Sequence, residues 1–122
     1  MTPDDAMRRI DTLLSHVWMV RTFLKHSDEA AEDDELAEVH RELYDYMLAL
    51  GAPFNAGDAT EYLRFANKKF AKFQRANEQF TKLQPEISTH MNFRMAAQSL
   101  RTAVGEVRAI LEKLRDGQKT ED

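Results

Sequence analysis

Apolar residues recur three and four positions apart along most of the chain, and no window alternates strictly with period two. That spacing places one apolar stripe on each of several helices and predicts no strand. The first helix opens at Thr2-Pro3-Asp4-Asp5. Thr2 can cap, Pro3 suits the first helical position, and the carboxylates favour the positive end of the helix dipole. Its stripe is Met7, Ile10, Leu14, Val17 and Leu24, and it runs to about Lys25. The acidic run Ser27 to Glu35 leads into a second helix with Leu36, Val39, Leu43, Met47 and Leu50, which Gly51-Ala52-Pro53 should end.

Asp58, followed three residues later by Glu61, resembles a capping box and predicts the start of a third helix. Its stripe is Ala59, Leu63, Ala66, Phe70, Phe73, Asn77 and Phe80, and Pro85 should break or restart the chain. The fourth helix carries Phe93, Ala97, Leu100, Val104, Val107, Leu111 and Leu114, with Gly117 as its stop. Short connections between amphipathic helices favour an all-α, four-helix, up-down-up-down antiparallel bundle. Helices three and four should be longer than one and two. One domain is expected over residues 1–116, with a flexible C-terminal tail over 117–122.

Some apolar residues exceed what these stripes need. Trp18, Met19, Val20 and Phe23 lie off the first helix's stripe. Ile87, Met91 and Met95 lie roughly opposite Phe93 and Leu100 on the fourth. Helices one and four are neighbours in an up-down bundle, so Met19, Phe23, Ile87, Met91 and Met95 should form an exposed apolar patch. Such patches mark contact surfaces. A homodimer with two-fold symmetry is the leading expectation, and another protein is the alternative occupant.

Two polar residues fall on apolar faces. Arg21 is level with Glu38 on the second helix, so an Arg21–Glu38 or Arg21–Glu42 ion pair is one expectation. The other is that Arg21 extends to the surface. Asn77 sits at a core position, where it could fix register or lie beyond the shorter helices in water.

Composition narrows the function classes. The chain has 122 residues, 43% hydrophobic and 31% charged, with a formal net charge of -4 and no cysteine. Cysteine chemistry is excluded, and a reducing, cytoplasmic setting fits. The polar N-terminus offers no apolar signal segment, and Leu13 to Leu24 is too short to span a bilayer, so no membrane partner is expected. The net charge disfavours nucleic acid. Arg64, Lys68, Lys69, Lys72 and Arg75 do cluster among Phe65, Phe70 and Phe73. They are expected to form a solvated face complementary to the acidic segment Glu29 to Glu42.

Candidate chemistry is sparse. His16, His40 and Glu42 could approach one another as metal ligands, since imidazole and carboxylate suit iron, zinc or manganese. The Glu-x-x-His pair typical of metal-binding bundles is missing, and no cofactor is expected. Arg21 to His26 satisfies the Arg-x4-6-His spacing of HEPN-type ribonucleases, in which His would transfer protons and Arg would stabilise phosphorane charge. The match spans six residues and carries no family claim. Ser15 and His16 point in different directions on a helix, and no Gly-rich phosphate loop occurs. The ranking is therefore a non-enzymatic interaction or assembly module first, a metal-binding bundle second and a HEPN-like ribonuclease third.

Overall fold

A computed structural model describes residues 1–121, with side chains described to Gly117. The described chain is all-helical. Its elements are α1 (Pro3–Lys25), α2 (Asp28–Glu32), α3 (Asp34–Asn55), α4 (Ala59–Lys68), α5 (Phe70–Ile87) and α6 (Met91–Glu121). The expected tail reaches into residues outside those whose side chains are described, but α6 itself continues past Gly117.

Local chemistry explains most of the starts. Thr2 and Asp5 close a reciprocal capping box on α1, with Pro3 at the first helical position. Ser27 caps α2, Asp33 caps α3 and Asp58 caps α4, each side chain accepting a backbone N–H three residues on. His90 performs the same role for α6 with an imidazole: its Nδ1 accepts the Asn92 N–H at 3.1 Å.

Three expected boundaries are corrected. Gly51 and Pro53 do not end the second helix; α3 runs through both to Asn55. The reversal comes at Gly57, which holds φ at +67° and donates its N–H to the Phe54 carbonyl. Only a residue without Cβ takes that left-handed conformation cheaply. Pro85 likewise lies inside α5, and the break falls at Ser88–His90. Ile87 is therefore the last residue of α5 and not part of the fourth long helix.

The third correction is that the expected third helix is two, α4 and α5, separated by Lys69. No Gly or Pro marks the site. The Phe73 N–H to Lys69 carbonyl bond is stretched to 3.4 Å, and the Tyr46 hydroxyl donates to the Ala66 carbonyl at 2.9 Å. A side chain bonded into the helical ladder one turn before an interruption is a recognised cause of such a break. Tyr62 accordingly replaces Leu63 as the fully buried residue of this stretch.

The long helices pack in a ring. α1 contacts α3 and α6, and α5 contacts α3 and α6, while α4 seats on α1 and α3. One core of buried side chains fills the centre, with Ile10, Val17, Leu36, Leu43, Tyr62, Phe73, Phe80, Leu100 and Val104 almost wholly enclosed. Tyr46 stacks flat on Phe73 at 4.0 Å between ring centroids. Asn77 is buried with the core, not solvated. No helix among the described residues is long and apolar enough to cross a membrane.

Candidate functional site

The seam between α1 and α3 leaves a groove of about 640 Å³, in the size range of binding clefts. Trp18, Met19, Tyr44, Met47, Leu48 and Phe54 supply most of its apolar lining, with Asp11 and Asn55 at one end. Helix geometry puts these residues there. Asp11, Ser15 and Trp18 recur three and four apart on α1, beside the buried Ile10–Leu14–Val17 stripe. Tyr44, Leu48, Gly51 and Asn55 do the same on α3, beside Leu43, Tyr46 and Leu50.

The apolar residues of this groove are unusually open. Met19 is 67% exposed, Leu48 63% and Trp18 46%. Burying one such side chain fully is worth roughly 1.5–3 kcal/mol, so leaving several in water is a substantial unused driving force.

Arg21 sits at the other end of the groove. Its guanidinium carbon lies 4.9 Å from the Trp18 ring and 4.6 Å from the Tyr44 ring, so the cation rests against both aromatic rings. This replaces the expected ion pair. Glu38 approaches Arg41 on its own helix at 3.8 Å, and no Arg21–Glu38 pair forms among the described residues. The reason is stereochemical: Glu38 turns toward α5, in a groove with Glu42 and Arg75, while Arg21 faces α3 from the α1 side. Arg21 and Lys25 act instead on His40. Burial first, and then the positive charges of Arg41, Arg21 and Lys25, hold the His40 imidazole below its usual range. At the far end, burial pushes the Asp11 carboxyl above its usual range.

The metal candidates are not brought together. His16 is exposed on α1, His40 faces the α1 cations, and Glu42 faces Lys72 and Arg75 of α5. Two residues apart on a helix, His40 and Glu42 point about 200° apart. No group of three or more His, Asp or Glu placed to hold a metal ion exists among the described residues. Arg21 and His26 are not joined into a catalytic pair either. His26 is exposed at the end of α1, about 140° round the helix from Arg21.

The expected interface residues divide. Met19, Met91 and Met95 are exposed. Phe23 is half-buried, edge-on to Phe93 at 4.9 Å, and Ile87 packs against the core. Sequence reasoning missed Tyr44 and Leu48. Their signal was present: both are large apolar residues on α3 one position beyond its buried stripe, as Trp18 is on α1. The basic stretch behaves as expected on one flank, where Lys72 and Arg75 face Glu42.

No protein-family model matches this chain, and neither a curated protein nor a solved structure matches it.

Proposed function

We propose that this chain is a non-enzymatic, cytoplasmic assembly module that forms a homodimer through the α1/α3 groove. The observation that carries the reading is the cluster of open apolar side chains, Trp18, Met19, Tyr44 and Leu48, around one cleft. The groove also supports self-pairing. Asp11 and Arg21 stand at its opposite ends, ten residues or about 15 Å apart along α1. A two-fold axis between them sets the Asp11 end of one copy against the Arg21 end of the other, as an isologous contact requires. Met91 and Met95 lie on α6, across α1 from the groove, and form the rim of the contact and not its centre.

The architecture proposed with this function is the up-down-up-down antiparallel four-helix order, α4 and α5 counting as one broken helix. Three contacts support it: Phe23 late in α1 meets Phe93 early in α6, Asp11 early in α1 shares a groove with Asn55 late in α3, and Gln79 late in α5 bonds Glu35 early in α3.

Light scattering after size exclusion tests the function. The expected result is a dimer at high micromolar concentration. Leu48→Asp should give a monomer with unchanged helicity, because an exposed Leu48 contributes little to the core. A monomeric parent at those concentrations sinks the proposal, as does a dimer that tolerates Leu48→Asp together with Met19→Asp.

A further inference from the structure

The net charge of the chain hides a division. Residues 1–58 hold 13 acidic and five basic side chains, a balance of -8; residues 59–117 hold six acidic and 11 basic, a balance of +5. The acidic part contains α1 to α3 and the basic part α4 to α6. In the folded molecule this becomes a cationic face along the α5/α6 seam, away from the α1/α3 groove.

One row makes the face. On α6, Arg94, Arg101, Arg108 and Arg115 each follow a core position by one residue, behind Phe93, Leu100, Val107 and Leu114. Their seven-residue spacing stacks them in a nearly straight column about 31 Å long. All four are exposed. The column borders α4 and α5, since Arg108 and Arg115 share a groove with Asn67, Gln74 and Glu78. Arg108 pairs with Glu112 at 3.0 Å; no salt bridge engages Arg94, Arg101 or Arg115 among the described residues. The basic residues of α5 stand on its other flank: Lys72 and Arg75 face Glu42, and Arg75 shares a groove with Glu35 and Glu38 of α3.

We propose that this face binds double-stranded nucleic acid through its phosphate backbone, without sequence preference. Three features select that partner. The column is about as long as one helical turn of duplex, roughly 34 Å. Gly105, exposed between the second and third arginines with Thr102 and Glu106, has no side chain to hold an approaching backbone off. The column is polar and cationic, as duplex interfaces are; the exposed Met91 and Met95 of α6 stand to one side of it, at its Arg94 end. An acidic protein partner would need an apolar centre that this face lacks. Single strands would need free stacking rings. Phe65 lies half-buried beneath Arg64, and Phe70 is half-buried against Phe73.

The test is fluorescence anisotropy of a labelled 20-base-pair random-sequence DNA duplex titrated with the full chain. Binding in the micromolar range is expected at 50 mM salt. Four phosphate contacts predict a loss on the order of a hundredfold between 50 and 200 mM. The triple variant R94E/R101E/R115E should lose at least tenfold at low salt with an unchanged circular dichroism spectrum. Any of three results overturns the proposal: no binding at 50 mM salt with tens of micromolar protein, equal binding by the triple variant, or displacement by polyglutamate as effective as by unlabelled duplex. Oligomeric state is read separately, so failure here leaves the groove dimer standing, and the reverse.

Discussion

The Arg21 guanidinium lies against the Trp18 and Tyr44 rings, and His40 is a near neighbour whose own burial, more than any nearby cation, disfavours its charged form. His40 lies within reach of Arg21, Lys25 and Arg41 and is itself partly desolvated. Each effect disfavours imidazolium in the folded state. The unfolded chain therefore takes up the His40 proton first as pH falls through about 6.5, and stability drops below that pH. Asp11 and Glu42 act with the opposite sign, since burial raises both carboxyls, but their window lies lower, in the carboxylate range. His40→Gln should flatten the fall in urea midpoint between pH 7.5 and 5.5. Equal pH dependence in the parent and the variant would show that His40 is not the group responsible. The wheel could place Arg21 and His40 near the α1/α3 seam. It could not show that two rings in different helices would both rest against the guanidinium, because that depends on side-chain rotamers across a tertiary contact.

Helix boundaries turn on which glycine bears the constraint. Gly51 lies within α3 in helical conformation, and a Cβ built there meets nothing within 4 Å. Gly57 also has open space but holds φ at +67°. Gly51→Ala should therefore stabilise by about 0.5–1 kcal/mol by removing freedom from the unfolded chain, and Gly57→Ala should destabilise by about 1–2 kcal/mol through backbone strain. Urea denaturation of the two variants checks both signs, and a shared sign would refute the assignment. Sequence placed the stop at Gly51-Ala52-Pro53 because Gly and Pro adjoin there. Tertiary packing overrode it: Pro53 is buried and accepts the Asp58 N–H, so the helix gains by continuing. The opposite error occurred at Lys69, where no breaker exists and the interruption comes from Tyr46, 23 residues earlier. Caps were legible because they are local, as Thr2, Asp58 and the acidic first turns illustrate. Core stripes were legible because they are periodic. The groove was less so, since Tyr44 and Leu48 matter only once α3 is set against α1.

At the scale of the molecule, the ring of helices relates the two proposed surfaces. α1 and α3 form one seam and α5 and α6 another, and among the four long helices the main contacts of each are with its two neighbours in the ring. The seams are therefore diagonal across the core. A dimer joined at α1/α3 carries its two cationic faces outward, on opposite sides, where one straight duplex cannot lie against both. Such a dimer should bridge two duplexes. The acidic α2–α3 region supports this arrangement by repelling phosphate from the flanks of the dimer contact, leaving α5/α6 as the approach. With short duplexes, light scattering should give two duplexes per dimer, and duplex tethered to beads should capture free labelled duplex only when the protein is present. Leu48→Asp separates the two functions: it should hold one duplex per chain with near-parental affinity and lose capture altogether. Capture that survives in a proven monomer would mean that one chain contacts two duplexes, and the diagonal placement of the seams would then not be what joins them.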